Sequence, residues 1–322
     1  MPTALITGIT GQDGSYLAEQ LLDRGYRVVG LYRRLSSDNR WRIAHLADRL
    51  ELRCADLLDM GSLIRALSEV QPDEVYNLAA QSFVPASWEQ PVLTAEITGL
   101  GALRLLEAAR IASPGARIYQ ASSSEMFGAC VGETQNEDSP LRPRSPYATA
   151  KLYAHRMAIN YREAYGMFVV SGILFNHESP RRGPEFVTRK VAICAARIHL
   201  GLQETFDIGD INPRRDWGFA GDYTRAMQQM LDRDEPRDFV IATGVNHSVK
   251  ELLETAFSVV DLDWQDHARQ DPALVRRNEV ATLRGDATRA RELLGWTPTV
   301  DFDGLITMMV EAEIKRHQAM KG

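Results

Sequence analysis

A short apolar run, Thr3-Ala4-Leu5-Ile6-Thr7, feeds straight into Gly8-Ile9-Thr10-Gly11-Gln12-Asp13-Gly14, and that into the helical pattern Tyr16-Leu17-Ala18-Glu19-Gln20-Leu21-Leu22. A buried strand, a tight glycine turn and a helix in that order suit the first unit of a nucleotide-binding sheet. The glycines allow a sharp turn and let the backbone approach a diphosphate. The helix start then offers unpaired N–H groups and the positive end of its dipole to the anion. The spacing is Gly-x-x-Gly-x-x-Gly, not Gly-x-Gly-x-x-Gly. Gly8, Thr10, Gly11, Gln12, Asp13 and Gly14 are therefore the first candidate cofactor contacts.

The pattern repeats. Strand-like runs over residues 26–31, 52–54, 74–79, 116–121 and 169–175 alternate with helical periodicity over 60–70, 98–111 and the stretch around Tyr147. Such alternation predicts βαβ units and a parallel sheet. After about Asn176 the pattern loosens, with Pro, Arg and Gly collecting between Ser179 and Pro184 and again near Pro213. The expectation is an α/β fold: a Rossmann-like, doubly wound parallel sheet over residues 1–175, followed by a smaller mixed α/β substrate lobe over 176–322. The lobe is expected to interleave partly with the sheet domain.

Composition excludes several classes. At 322 residues with a formal charge of −6, mild acidity argues against nucleic acid or an anionic membrane as the main partner. The bases are mostly Arg, which suits bidentate recognition of phosphate. Cys54, Cys130 and Cys194 have neither disulfide nor zinc spacing and are expected to be buried, reduced thiols, with no metal site. The start of the chain lacks a basic and apolar leader, and no transmembrane run occurs, so a cytoplasmic location is expected.

The end of the second strand selects the cofactor. An NAD-binding chain usually carries Asp or Glu there for the ribose 2′-hydroxyl. Here it reads Tyr32-Arg33-Arg34. Arginine cannot accept from that hydroxyl but can hold a 2′-phosphate, which favours NADP; the alternative is a solvated Arg pair. Asp56, after the third strand, could accept from the adenine amine or cap a helix.

Two further motifs carry chemistry. Tyr147 and Lys151 lie four residues apart, one turn along a helix face. A Lys ammonium beside a phenol should favour the phenolate, giving a base for a sugar hydroxyl. Upstream, Ser122-Ser123-Ser124-Glu125 adds a second acid–base group that a simple dehydrogenase does not need. Together they suggest hydride transfer coupled to loss of water. Ser124 could orient Glu125 or simply bond strand-end backbone. His177 is expected to be a hydrogen-bonded structural histidine, and Trp217 and Trp296 to belong to the core.

In this order the motifs resemble the extended short-chain dehydrogenase/reductase superfamily. The stretches Gly11–Leu17, Tyr76–Ser82, Tyr119–Gly128 and Gly172–Pro180, then Phe186–Lys190, Arg215–Gly218 and Leu294–Trp296, narrow the resemblance to the GDP-mannose 4,6-dehydratase family. The likeness runs nearly end to end. It implies that Ser123 bonds the reacting sugar hydroxyl, Tyr147 deprotonates it, Lys151 tunes the Tyr and holds the nicotinamide ribose, and Glu125 removes the C5 proton. It places Leu57, Leu78, Ala79 and Ala80 against the cofactor and Ser82 and Ser124 against the substrate. Lys190, Arg215 and Arg276 would hold the GDP-mannose diphosphate, Asn176 would donate to a phosphate, and Glu279 would accept from ribose or guanine. It also implies a homotetramer, a dimer of dimers, in which residues 33–42 reach a neighbouring subunit.

Two departures stand out. The family usually has Thr where Ser123 stands, and Ala281 replaces a usual carboxylate after Arg276 and Glu279. The second leaves room for a related GDP-sugar such as a GDP-manno-heptose. A nucleotide-sugar 4-epimerase or 4-reductase would share Tyr147 and Lys151 without requiring Glu125. A redox-sensing binding protein would typically have lost Tyr147 or Lys151.

Overall fold

The computed structural model describes residues 1–34, 36, 39–129, 134–275 and 280–319. Cys130, Arg276 and Glu279 lie outside the described residues.

The chain opens with β1 (Thr3–Thr7), α1 (Gln12–Asp23), β2 (Arg27–Tyr32), β3 (Glu51–Cys54), α2 (Met60–Val70) and β4 (Glu74–Asn77). Two short helices follow, α3 (Val84–Glu89) and α4 (Pro91–Thr94). A π-helical stretch, Ala95–Leu100, then leads into α5 (Gly101–Ala112). The helix expected from residue 98 thus begins as a wider π turn, and its regular α geometry starts only at Gly101. Next come β5 (Arg117–Ser123), α6 (Pro146–Tyr165), β6 (Val169–Leu174), β7 (Asn176–Glu178) and α7 (Val187–His199). The remainder includes β8 (Phe206–Ile208), β9 (Arg214–Arg215), β10 (Trp217–Phe219), α8 (Ala220–Leu231), β11 (Phe239–Ile241), α9 (Val249–Ser258), α10 (Thr288–Leu294) and α11 (Phe302–Ala319).

Among the described residues the main sheet has seven strands in the order β11-β6-β5-β4-β1-β2-β3, every neighbouring pair parallel. The fold is α/β and Rossmann-like. Strands β1, β4 and β6 are buried along their whole length, because helices cover both faces of a parallel sheet. One face carries α1 and α8 through Leu17, Leu21, Met227 and Met230. The other carries α2, α5 and α6 through Leu63, Leu67, Leu105 and Tyr161.

The seventh strand comes from the part of the chain whose pattern had loosened. Phe239–Ile241 is only three residues long, and its parallel pairing with Gly172–Leu174 extends the sheet at one edge. A separate apolar core holds the C-terminal elements, built from Val191 and Ala195 of α7, Leu252 and Ala256 of α9, and Leu305 and Met309 of α11. Across α7 and α11, buried Arg189 pairs with buried Glu313 at 2.5 Å.

The expectation of buried thiols holds for Cys194 and fails for Cys54, which is exposed. Cys54 ends β3, which among the described residues is the outermost strand of the sheet and pairs on one side only, with β2. Trp217 and Trp296 are both buried, and the Trp296 indole donates to Asp222 O at 2.8 Å. Among the described residues no helix is long and apolar enough to cross a membrane, and no group of three or more His, Cys, Asp or Glu could hold a metal ion.

Candidate active site

Capping fixes the helix that carries Tyr147 and Lys151. Ser145 Oγ accepts from Ala148 N at 3.1 Å, and Pro146 occupies the first turn, where its missing N–H costs nothing. Gly166, at φ +64°, closes the helix in the left-handed region. Lys151 therefore sits one turn past Tyr147, and both are buried.

The ammonium of Lys151 donates to Ala121 O near the end of β5, at 2.8 Å. Ser123, the last residue of that strand, accepts from Glu125 N through its hydroxyl at 3.2 Å and so caps the short turn carrying Glu125. The Ser123 side chain also faces the Tyr147 phenol closely enough to favour its ionised form. Ser124 is buried within this turn. Ser122 points its hydroxyl to His155 Nδ1 at 3.0 Å.

Electrostatics here depart from the expectation. Burial pushes the Tyr147 phenol up to about 12; the Ser123 side chain opposes this and the nearby Glu125 charge adds to it. Burial also lowers Lys151 to about 8, against a small opposing pull from Asp13. A Lys beside the phenol was expected to yield phenolate. Instead the Lys151 ammonium lies 5.9 Å from the ring centroid of Tyr147, and desolvation of both groups dominates.

The glycine turn is tightly built. Gly8 has φ +71°, and a Cβ there would come within 2.9 Å of Ala79 N. A Cβ on Gly14 would approach Gly8 O to 2.5 Å. Thr7 Oγ1 donates to Asn77 Oδ1 at 2.8 Å and accepts from Leu78 N and Ala79 N, both at 3.1 Å. This locks the end of β4 against the turn. The glycine cradle, the α1 N-terminus and exposed Arg33 at the rim fit a dinucleotide. The side chain of Asp56 accepts from Leu58 N at 3.0 Å in a local turn, whereas Asp59 caps α2. The helix-capping alternative for Asp56 is thereby taken by its neighbour.

A single cleft of about 1240 Å³ is lined by Gly8, Thr10, Gly11, Gln12, Asp13, Gly14, Arg33, Asp56, Leu57, Leu78, Ala79 and Ala80 on the turn side. The same cleft is lined by Ser123, Ser124, Glu125, Tyr147 and Lys151 in the middle, and by Ser82, Asn176, Lys190 and Arg215 beyond. Asn176 sits on β7, paired with Trp217 of β10. Lys190 donates to Asp207 O at 2.6 Å, and Arg215 is buried. Arg276 and Glu279 lie outside the described residues.

The sequence reading assigned no role to Arg182, Glu178, Phe83 or Phe186, which also line the cleft. Arg182 pairs with Glu178 at 3.1 Å and lies over the Phe186 ring, and Phe186 meets Phe83 edge to face at 5.5 Å. The signals near this group were the Pro, Arg and Gly collecting after Ser179 and the stretches Gly172–Pro180 and Phe186–Lys190.

The parallel sheet order, with the Tyr147–Lys151 helix beside the glycine turn, is that of a short-chain dehydrogenase/reductase. The GDP-mannose 4,6 dehydratase family model matches residues 5–309. GDP-mannose 4,6 dehydratase 1 of Arabidopsis thaliana is 50% identical over 97% of this chain and 90% of its own length. The Homo sapiens GDP-mannose 4,6 dehydratase is 46% identical over 97% of this chain and 91% of its own. Among solved structures, a dTDP-glucose 4,6-dehydratase of Streptomyces venezuelae with NAD and TYD bound matches with a TM-score of 0.89. It is 25% identical, and 98% of each chain is covered. The chain belongs to the GDP-mannose 4,6-dehydratase family, a family of hydro-lyases.

Proposed function

We propose that this chain dehydrates GDP-mannose to GDP-4-dehydro-6-deoxy-D-mannose in an NADP-dependent reaction. The observation that carries the proposal is that Glu125 shares one cleft with Ser123, Tyr147 and Lys151, close enough for its charge to act on the Tyr147 phenol. A dehydrogenase or epimerase needs the Ser–Tyr–Lys set; only elimination needs an additional base.

Residues Gly8–Gly14 with Leu57, Leu78, Ala79 and Ala80 would hold the dinucleotide, Arg33 its 2′-phosphate, and Lys151 its ribose. Bound there, the nicotinamide supplies the chemistry of taking a hydride from the sugar and giving it back. Tyr147 removes the proton of the C4 hydroxyl, which Ser123 orients. With its phenol held near 12 by burial, Tyr147 needs added positive charge to ionise, and an oxidised nicotinamide brings that charge. The C4 ketone acidifies the C5 proton, which Glu125 removes. Glu125 then hands that proton to the departing C6 hydroxyl as water leaves, which joins C5 and C6 by a double bond. Return of the hydride at C6 is matched by a proton at C5, for which the proton held by Tyr147 is the source, so Glu125 and Tyr147 end as they began. Ser124 steadies Glu125. Lys190, Arg215 and Arg276 neutralise the diphosphate, with Asn176 as donor and Ser82 at the rim, and Glu279 accepts from the ribose or guanine.

We take residues 1–175 as the cofactor domain and 176–322 as the substrate lobe, interleaved through β11. The working form is a homotetramer in the cytoplasm, the residue 33–42 loop meeting a neighbour.

Incubation with GDP-mannose and a trace of NADP tests the reaction, with the sugar followed by mass. Loss of one water without accumulation of NADPH supports it. Unchanged mass with altered stereochemistry would make the protein an epimerase, and stoichiometric NADPH consumption a reductase.

A further inference from the structure

His177 stands on β7, next to Asn176, and belongs to no step above. Its ring is held from two sides. Nδ1 lies 2.7 Å from Phe175 O, and Nε2 lies 2.9 Å from Asp13 Oδ2. Phe175 O can only accept, and the same holds for Asp13 when it is ionised, as its lowered value of about 2 favours; both ring nitrogens then donate. A neutral imidazole has one N–H and would leave one contact as two lone pairs facing each other. Beside an ionised Asp13 the geometry calls for an imidazolium.

Asp13 sits in the first turn of α1, beside the glycines. Its other oxygen, Oδ1, accepts from Gln12 Nε2 at 3.0 Å. Gln12 in turn donates to His177 O at 3.0 Å and accepts from Ser179 Oγ at 2.8 Å. Two side-chain bonds thus stitch the cofactor turn to the strand carrying Asn176, and a third joins it to Ser179 just past that strand. The Tyr223 ring of α8 stacks on His177 at 4.7 Å.

An aspartate at this place has a cost. The helix N-terminus favours a diphosphate, but a carboxylate in the same turn repels it unless its charge is cancelled. Resting on the assignment of the glycine turn to a nicotinamide dinucleotide, we infer that His177 is a positioning residue: as an imidazolium it neutralises Asp13 and ties the substrate strand to the cofactor turn.

The surrounding groups agree. Burial disfavours the His177 cation, yet the Asp13 charge and hydrogen bond outweigh it and raise the imidazole above its ordinary range. Burial likewise opposes the Asp13 charge, and His177 overrides it to hold the carboxyl at about 2. Arg182, itself paired with Glu178, and Lys151 are further cations that feel the pair. The Tyr223 phenol, raised by burial, stays neutral, and the Asp13 charge also reaches Tyr147, Lys151 and Tyr119. Loss of the His177 proton at alkaline pH leaves Asp13 uncompensated and should weaken dinucleotide binding.

Direct fluorescence titration with NADPH tests this between pH 7 and 9.5, a range in which the 2′-phosphate no longer titrates. A Lys151→Met background removes the proton of Lys151 from the comparison. In that background the NADPH Kd should weaken at least about fivefold across the range, whereas Asp13→Asn added to it should change less than about twofold. The absolute affinity of the double variant carries no weight; its pH slope does. Ring-nitrogen NMR of the wild-type chain, assigned against His177→Phe, should show both nitrogens protonated at pH 7. Equal pH slopes with and without Asp13, or a single neutral tautomer at pH 7, would overturn the inference alone. Failure of the wild-type chain to bind NADPH at pH 7 would overturn the dinucleotide assignment and the inference with it.

Discussion

Lys151 Nζ and Gln120 Nε2 converge on one acceptor, the carbonyl oxygen of Ala121, at 2.8 and 3.1 Å. Gln120 Oε1 in turn accepts from Asn77 Nδ2 at 2.8 Å, and Asn77 Oδ1 from Thr7 Oγ1 at 2.8 Å. A buried string of hydrogen bonds thus crosses three central strands, from the residue before the glycine turn to the Lys of the Tyr–Lys pair. Its members leave few alternative positions for the ammonium.

The Lys151 ammonium is buried without a carboxylate bonded to it, and its folded value of about 8 lies below the ordinary 10.5. Between those values the unfolded chain holds the proton and the folded chain has lost it. Stability should therefore rise with pH through this window, the cost being fully present below about 8. Relative to Lys151→Met, the wild-type protein without ligands should gain roughly 2–3 kcal/mol between pH 8 and 10. Urea unfolding of both across that range checks this, and parallel curves would contradict it.

Glu125→Gln keeps the shape of the side chain and removes the base. Overall turnover of GDP-mannose should fall about 10²–10⁴-fold, the span expected for a positioned general base. The first oxidation should survive, seen as reduced-nicotinamide absorbance in a single turnover with no loss of water. Full-rate dehydration by this variant would remove Glu125 from the mechanism.

Arg33→Ala should weaken NADP binding by about tenfold to a hundredfold, since a charge-assisted hydrogen bond contributes on the order of 1.5–3 kcal/mol. NAD lacks the 2′-phosphate, so its affinity should stay within about twofold. Calorimetric titration with each dinucleotide decides the matter; equal losses for both would mean that Arg33 does not recognise the phosphate.

Glu313 and Arg189 form a buried pair, with Arg316 also bonded to Glu313 at 2.7 Å. Glu313→Gln leaves Arg189 buried without its countercharge and should cost about 3–5 kcal/mol of stability. Arg189→Met combined with Glu313→Gln should recover part of that loss. Thermal melts of the three proteins measure both effects.

Local sequence determined much of this protein. Buried strands, amphipathic helices and the Ser-Pro cap before Tyr147 depend on near neighbours in the chain, so β1, α2 and the spacing of Tyr147 and Lys151 were legible directly. The glycine turn was legible too, because positive φ and close backbone approach leave few alternatives to Gly. The resemblance, carried by runs of adjacent residues, brought into view site residues that the structure gathers in one cleft, Arg276 and Glu279 lying outside the described residues.

Tertiary structure decided what depends on distant partners. His177 and Asp13 are 164 residues apart, and only the packing of β7 on the α1 N-terminus makes them an ion pair. Phe239–Ile241 is too short to announce itself as a strand, and it becomes one because β6 offers it a free edge. Cys54 is exposed because β3 is the outermost strand of the sheet among the described residues, which its own sequence does not reveal. The spacing of Tyr147 and Lys151 set their direction on the helix, but desolvation set their charges. Burial is a property of everything that surrounds a group, and no run of neighbouring residues encodes it.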